Sequence, residues 1–507
     1  MFASLRVFGF VMAASLVLTA QSSRVGDVSF ANSGAPAAQT SFLYGLAQLH
    51  NFEYDAAARA FREAQQQDPA FALAYWGEAM TRNHAVWMEQ DLGGARRILE
   101  RLAPDSAARI ARGQTDRERA YLHATEALFG AGTKPARDIA YLDEMRRLHA
   151  AYPDDVDATA FLGLALLGSA HEGRDVAIYS EAAAVLEPAF AAHPNHPGLA
   201  HYLIHAYDDP AHASMGLPAA RQYSRIAPAA PHALHMTTHI YLALGMWDDV
   251  VAQNERALSV VTDRARDAGR RPASCGHYSA WLEYGYLQQG RRADARRILD
   301  GCRSDAVGAN GLGARSPEED LLDPDNTPAG SYIQMWSRYL LDTGDWDDPV
   351  ALEEIPLGDL AGPRLTRVYV RALRAVERKD TAGLRRELAA LQDARQTLLT
   401  TLSNRREGAE QYRRRVEIIM LEIRGLLALA ERREAQAVDL LTRAMNEEDA
   451  MPIEFGPPFV DKPSAELLGD VLVRLGRPAE ASAAYAKALQ RTPGRVAAVR
   501  GLGRAKP

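Results

Sequence analysis

The sequence has no large excess of charge of one sign. Its 507 residues include 58 Lys and Arg against 65 Asp and Glu, which gives a formal net charge of −7 at pH 7. Binding to nucleic acid requires a strongly basic surface that neutralises phosphates. Because acidic and basic residues are nearly balanced, we expect no nucleic-acid partner. A chain of this length also exceeds a single compact core, which predicts several domains or an extended repeat array.

Long hydrophobic runs are absent after the N-terminus. The first 20 residues contain one basic residue, Arg6, and then an apolar run. This run is too short to span a bilayer and is typical of a secretory signal peptide. We predict a signal peptide over residues 1–20 with cleavage after Ala20, although Leu18 at the minus-three position leaves an uncleaved anchor open. The mature chain is expected to have no transmembrane span and to be exported to a bacterial periplasm. Residues 21–40 are predicted to form a flexible leader.

Motifs of several enzyme classes are missing as well. We find no Gly-rich phosphate loop, no nucleophile elbow and no Cys-x-x-Cys-His sequence for covalent haem attachment. The segment HMTTH (235–239) has the histidine spacing of a zinc-protease helix, but it lacks the glutamate after the first histidine that would act as general base. The sequence therefore leaves open whether the protein is an enzyme.

A pattern of small and large residues recurs along the chain. The segments LYGLAQLHNFEYDAAARAFREAQQQDP (43–69) and AELLGDVLVRLGRPAEASAAYAKALQRTP (465–493) share glycine, alanine, aromatic and final proline positions. Looser copies surround Gly245, Gly290 and Gly344. This pattern resembles the tetratricopeptide repeat (TPR), whose unit is about 34 residues long. The resemblance implies an all-α, TPR-like right-handed solenoid of antiparallel helix hairpins, with a concave groove that binds a peptide or protein ligand.

Three segments rich in Gly, Pro and acidic residues interrupt the helical pattern. They are residues 303–330, 353–364 and 446–463. Inserted loops of this length are either lids and binding loops or tolerated surface insertions, and the sequence leaves both open. We place the domain boundary at the second one, which gives an N-terminal TPR array at 41–352 and a C-terminal TPR-like array at 353–507.

Cysteine is scarce, since Cys275 and Cys302 are the only two. In the repeat frame, Cys275 lies near the start of a helix and Cys302 near the end of its antiparallel partner, so the two are expected to be neighbours. We predict a disulfide between them in an oxidising compartment; two free buried thiols are the alternative.

Histidines are unevenly distributed. All fourteen lie between residues 50 and 277. Several recur at a spacing of 34 residues, which equals the repeat length and places them at equivalent sites on successive hairpins. These pairs are His201 with His235, His205 with His239, and His50 with His84.

Two histidines one turn apart on each of two neighbouring helices could converge on one ion. Imidazole suits Cu, Zn or Fe, and a nearby carboxylate could complete the shell or orient a ligand. We therefore predict a transition-metal site, with a small molecule as partner if an open position makes the site catalytic. The candidate metal ligands are His201, His205, His235, His239, His84 and Asp208.

The same register predicts further polar and aromatic side chains on the concave face. These candidate groove-lining residues are His50, Asn83, Trp87, His232, Tyr241 and His277. They also suit the alternative function, a metal-free TPR scaffold that binds peptides or envelope proteins, and incidental packing is a third interpretation. The segments HPGLAHYLIHAYDDP (196–210) and APHALHMTTHIYLALGMWDD (230–249) resemble motifs of an exported bacterial branch of the TPR superfamily that has no assigned activity, so the resemblance does not imply an enzyme.

Overall fold

A computed structural model of the chain describes residues 24–309, 311–312, 327–403, 409–453 and 455–505. The predicted signal peptide over residues 1–20 and its cleavage site lie outside these residues. Most of the predicted inserted loop at 303–330 also lies outside them. Among the described residues, no helix combines the length and apolar character needed to cross a membrane.

The described chain is all-α, apart from one short two-stranded ladder, and consists of TPR-like antiparallel helix hairpins. It divides into two compact units: Met1–Asp208 with His212–Ile240, and Asp209–Ala211 with Tyr241–Pro507. The predicted boundary near residue 353 differs from this division, because the hairpins between Tyr241 and residue 352 belong to the same unit as the C-terminal ones.

In the first unit the helices are α1 (Gln39–His50), α2 (Tyr54–Gln67), α3 (Ala72–Met80), α4 (Leu92–Leu102), α5 (Ser106–Ala111), α6 (Asp116–Leu128), α7 (Lys134–Ala151), α8 (Val156–Leu167), α9 (Val176–Ala192), α10 (Pro197–Ala206) and α11 (Ala213–Ile226). Helix α12 (Pro231–Ala243) begins in the first unit and ends in the second. The strands β1 (Asn83–His84) and β2 (Glu89–Gln90) pair antiparallel between α3 and α4.

The helices of the second unit follow the same hairpin order. They are α13 (Trp247–Asp267), α14 (His277–Gln288), α15 (Arg292–Ala306), α16 (Pro328–Thr343), α17 (Ala361–Glu377), α18 (Thr381–Ser403), α19 (Ala409–Ala430), α20 (Glu434–Asp449), α21 (Ser464–Arg474), α22 (Pro478–Arg491) and α23 (Val496–Arg504).

The repeated small residues let the two helices of a hairpin approach closely. A Cβ atom on Gly77 of α3 would lie 2.3 Å from the Phe61 ring of α2, and one on Gly469 would lie 2.8 Å from the Tyr485 ring. First helices such as α3 and α10 are buried on every side, whereas second helices such as α2 bury one stripe of Ala and Phe. This difference is expected when one helix of each pair lies inside the array and the other faces water.

The described part of the predicted leader, residues 24–40, packs on the first unit. Val25 and Phe30 are buried. The Phe30 ring lies between 5.2 and 5.8 Å from the rings of Tyr121 and Trp76. The backbone oxygen of Arg24 also accepts a hydrogen bond of 3.1 Å from the Ala229 nitrogen. Burial of these apolar side chains explains why this stretch is not the flexible leader that its sequence predicts.

The first unit does not keep an open concave face along its inner helices. Helix α10 of the fifth hairpin packs against α1 of the first hairpin. In an open solenoid each repeat contacts only its neighbours. Since α10 reaches α1, His50, which was predicted to line a groove in this unit, is instead enclosed between helices.

Two of the inserted loops are packed rather than free. Ile355, Leu357 and Leu360 of the segment 353–364 are buried, as is Val460 of the segment 446–463. A disulfide joins Cys275, before α14, to Cys302 of α15, with the Cα atoms 4.5 Å apart. The sequence predicts this pairing, and it links the two helices of one hairpin within the second unit.

Candidate metal centre

Helix α10 brings two histidines to one face in the first unit. His196 caps the helix by accepting the Leu199 N–H at 3.3 Å, and Pro197 occupies the first turn, where its missing N–H is not needed. His201 and His205 follow one turn apart, with their ring centroids 4.9 Å from each other. Both are buried.

The hydrogen bonds of His201 fix its tautomer. Its Nδ1 lies 2.7 Å from the backbone oxygen of His50, which can only accept, so Nδ1 carries the proton. The Nε2 atom then holds a lone pair, and it is buried without a hydrogen-bond partner among the described residues. Burial and the neighbouring His205 lower the pKa of His201 well below its usual value, and burial does the same for His205. A neutral imidazole whose Nδ1–H is held by a carbonyl is the usual second-shell arrangement of a metal ligand.

A third histidine joins these two from helix α12. One nitrogen from each of His201, His205 and His232 lies within 4.8 Å of the other two. Ligand nitrogens in a tetrahedral shell with bonds of about 2.0–2.1 Å are about 3.3 Å apart. The three rings therefore need to close by about 1.5 Å at most to hold one ion. His232 was predicted as a groove residue, whereas the structure places it among the candidate ligands.

His235 and His239 form a pair one turn further along α12. Their Nε2 atoms are 3.2 Å apart, and Asp208 accepts the His239 Nδ1–H at 2.5 Å. Asp208, which the sequence offers as a ligand, thus orients a histidine through its other nitrogen, the second role considered for it. The His205 and His239 rings are 6.2 Å apart, so this pair adjoins the first group.

A buried carboxylate lies behind the cluster. Asp157 of α8 accepts from His50 Nε2 at 2.9 Å and lies 3.3 Å from His196 Nε2. Hydrogen bonds from His196 and His50 lower the pKa of Asp157 against the opposing effect of burial. The Tyr202 hydroxyl donates to His50 Nδ1 at 3.0 Å. Because both imidazoles are engaged by protein groups, this triad is a hydrogen-bonded support for the His50 carbonyl.

His50 is therefore enclosed and does not line a groove. The helical Gly198 leaves room for it, since a Cβ there would lie 2.3 Å from His50 Nδ1. The sequence missed His196 and Asp157 as members of the site. Asp157 follows the Asp155 cap of α8, a position that reads from sequence as an ordinary first-turn acid.

The structure does not place His84 among the histidines of α10 and α12. Helix α3 ends at Met80, and His84 lies in β1 instead of continuing the helix as the 34-residue register predicts. Its ring stacks on Tyr54 at 4.1 Å, and its Nδ1 lies 3.4 Å from Glu89. The short ladder inserted after α3 is the physical reason for this difference, and His84 as a ligand stays a prediction.

The other predicted groove residues lie in different elements of the chain. Asn83 accepts the amide N–H of Gln90 at 3.0 Å within the ladder. Trp87 is 46% exposed and contacts the His232 ring edge-on at 5.9 Å. Tyr241 is buried in the second unit, and His277 is exposed in that unit beside Trp281.

Sequence reasoning also missed Phe52, which follows α1. Its ring lies 4.3 Å from that of His201 and 5.6 Å from that of His232. The available signal is that a phenylalanine occupies the turn position where other hairpins of this chain have glycine.

No family model matches the chain, and no curated protein sequence matches it. Solved structures with which it aligns include the APC/C hetero-tetramer Cut9–Hcn1, at 13% identity over 94% of this chain and 78% of that chain with a TM-score of 0.33. Yeast Tom70 aligns at 9% identity over 92% and 88%, with a TM-score of 0.34. A Rap protein complexed with competence and sporulation factor aligns at 11% identity over 82% and 98%, with a TM-score of 0.32.

Proposed function

We propose that the chain binds a first-row transition-metal ion in its first unit through the imidazoles of His201, His205 and His232. The observation that carries the proposal is the convergence of one nitrogen from each ring within 4.8 Å, with His201 and His205 buried and His232 half-buried. Leaving a buried acceptor such as His201 Nε2 without a partner costs about 1–3 kcal/mol. A metal ion bound at this atom would remove that cost.

His235 and His239 would extend the site as further ligands or as a second, adjoining position. The 3.2 Å between their Nε2 atoms is close to the ligand spacing of a tetrahedral shell, about 3.3 Å. Both cysteines of the chain lie in the second unit, so the donors here are imidazoles without thiolate. Imidazole donors suit Zn, Cu or Fe, and this site lacks the soft sulfur ligands that would select Cu(I).

The test measures metal binding directly. The full chain, prepared without a histidine tag, is analysed for metal content by mass spectrometry, and the metal-free chain is then titrated with Zn²⁺ and Co²⁺ against a chromophoric chelator. We expect at least one tight equivalent, and a loss of affinity of about 100-fold or more in the double variant His201→Ala/His232→Ala. Asp208→Asn should weaken binding by about 10-fold if the His239 pair contributes.

The matched control is His193→Ala, which removes an exposed histidine just before α10. Its affinity should equal that of the unsubstituted chain. If the unsubstituted chain binds neither ion, or if the double variant binds as tightly as the control, the metal proposal is wrong.

A metal-free scaffold is the second candidate, and a cavity in the second unit favours it. The cavity measures about 690 Å³ and is lined by apolar side chains, such as Trp346, Leu373 and Val376, and by charged side chains of both signs, among them Arg474 and Glu377, which form an ion pair. A site of this size and mixed character suits a segment of peptide. Under this candidate, Trp346→Ala with Arg474→Glu should abolish capture of a protein ligand, whereas His201→Ala should not.

We also propose export of the chain to an oxidising compartment. The disulfide between Cys275 and Cys302 supports it, because such bonds persist where thiols are not kept reduced. N-terminal sequencing of the protein secreted by a bacterial host should give Gln21 as the first residue.

A further inference from the structure

A turn of unusual composition lies beside the proposed metal site. After α1, Glu53 N–H donates to the Gln48 carbonyl at 3.0 Å, which closes the helix with Phe52 in the left-handed region at φ 56°. The hairpins that turn at Gly245 and Gly290 have the same six-residue bond, at 2.8 Å in each, and glycine at the left-handed position. Glycine is favoured there because it has no Cβ to crowd the preceding carbonyl.

Phe52 is not the only non-glycine residue at such a position, but its side chain differs from the others. Lys379 and Arg432 occupy the same turn position in the second unit at φ 55° and 59°, and both are exposed. Phe52 is only 7% exposed. The two exposed residues show that the turn forms without a buried side chain, so burial of Phe52 is a property of its surroundings.

The ring of Phe52 lies on the proposed ligands. Its centroid is 4.3 Å from that of His201 in an edge-to-face contact, 5.6 Å from that of His232 and 5.9 Å from that of His205. The Trp87 ring, after β1, packs edge-on against Phe52 at 5.4 Å. One aromatic side chain, backed by a second, thus touches all three candidate ligands.

We propose that Phe52 is a cover that keeps water and small anions away from the metal ion held by His201, His205 and His232. This inference rests on the proposed function and makes it more specific. Catalytic metal sites keep a coordination position open to water or substrate, whereas closed sites hold the ion. A ring against all three imidazoles makes this a site that retains its ion, and the class of ligand excluded is water, hydroxide, halide and azide.

The test compares Phe52→Gly with Lys379→Gly in the full chain. Both changes place glycine at a left-handed turn position, but only the first removes a ring from the histidines. The metal-free chain is treated with diethylpyrocarbonate, and modification of the peptide that contains His201 and His205 is followed by mass spectrometry. The Co²⁺-loaded chain is titrated with azide and followed by visible absorption.

We expect Phe52→Gly to raise the modification rate at least tenfold and to lower the azide dissociation constant at least tenfold, while Lys379→Gly matches the unsubstituted chain. Modification and azide binding within twofold of the unsubstituted chain would overturn the cover. If Phe52→Gly does not fold by circular dichroism, the fallback variant is Phe52→Leu, which keeps an apolar side chain but loses the ring. It should raise the modification rate and lower the azide dissociation constant by smaller factors, and no change in either quantity would overturn the cover in the same way.

Failure of the metal proposal gives a different result. If Co²⁺ does not bind to the unsubstituted chain while Phe52→Gly still accelerates histidine modification, the proposed function is wrong and Phe52 shields histidines of another role. If histidine modification is unchanged in Phe52→Gly and Co²⁺ binds normally, the metal proposal stands and only the role of Phe52 as a cover is wrong.

Discussion

Asp157 and Glu422 are both buried carboxyl groups, but they have different hydrogen-bond partners and their pKa values shift in opposite directions. Asp157 in the first unit is buried between two imidazoles that stabilise its charge, and its pKa is lowered. Glu422 of α19 is equally buried but has only neutral hydroxyl donors, from Tyr369 at 2.6 Å and Ser464 at 2.7 Å. Burial raises the pKa of Glu422 to about 8. Burial alone therefore does not set the direction of the pKa shift; the hydrogen bonds to the carboxylate and the neighbouring charged groups decide it as well.

Glu422 gives a prediction for the pH dependence of stability. Between its unfolded pKa near 4.5 and its folded pKa of about 8, the folded chain binds a proton that the unfolded chain has released. The free energy of unfolding should therefore fall as pH rises through this window, by an amount on the order of 5 kcal/mol in total from this residue. Glu422→Gln, a neutral side chain of the same shape, should remove that dependence.

Thermal melting followed by circular dichroism at pH 5, 7 and 9 checks this expectation. The matched control is Glu434→Gln, which changes an exposed glutamate at the start of α20. The control should melt with the pH slope of the unsubstituted chain. A Glu422→Gln variant that retains that slope would show that Glu422 is ionised in the folded state at neutral pH.

At the scale of helices and hairpins, much of the fold could be predicted from sequence. Close contacts such as Gly77 on Phe61 require small residues at fixed spacing, and this spacing is visible in the sequence. The inserted ladder after α3 was not visible, because strands of two residues leave no periodicity to detect, and His84 was misplaced for that reason. The packing of residues 24–40 was missed because it depends on two isolated apolar residues, Val25 and Phe30.

The candidate site could be predicted only in part, because the sequence pattern reports contacts within one helix but not contacts between distant helices. The spacing of His201 and His205 on one helix is local and was read correctly as one face. The support from His50 and Asp157 depends on α1 and α8 meeting α10, which are far apart in sequence. Local periodicity cannot report such contacts, so the predicted open groove became an enclosed cluster.

The hairpin of α14 and α15 gives a prediction at this scale. The disulfide between Cys275 and Cys302 closes a loop with a sequence separation of 27 residues. Loop-closure entropy of that size should destabilise the unfolded chain by about 3.5 kcal/mol. Cys275→Ser removes the disulfide. Cys302 is completely buried, so a serine there would place a hydroxyl in the core, and the change at Cys275 avoids this.

Melting temperatures measured with and without a reductant check the disulfide. The unsubstituted chain should melt at a lower temperature when reduced, and Cys275→Ser should melt at that lower temperature under both conditions. Equal melting of the oxidised and reduced unsubstituted chain would contradict a stabilising role.

At the scale of a whole unit, the first unit closes where α10 meets α1, and the proposed ligands lie at this closure. His201 contributes its Nε2 to the candidate site and its Nδ1–H to the carbonyl of His50, the last residue of α1. An ion that fixes the His201 ring therefore also fixes this bond between the first and fifth hairpins. Metal binding should stabilise the closure, and not only the helices that carry the ligands.

Amide hydrogen exchange followed by mass spectrometry measures this effect. At a Zn²⁺ concentration of about 100 times the dissociation constant, binding stabilises the folded state by about 2.7 kcal/mol. Amide exchange that requires release of the ion should then slow by about 100-fold. We expect slower exchange in peptides that cover residues 196–207 and 231–240, and also in the peptide that covers 45–54. The peptide that covers 92–111, from α4 and α5, carries no candidate ligand and serves as the internal control. Protection confined to the two ligand-bearing peptides would mean that the closure is stable without the ion. Protection that includes 45–54 and is lost in His201→Ala would show that one imidazole connects the metal site to the closed form of the unit.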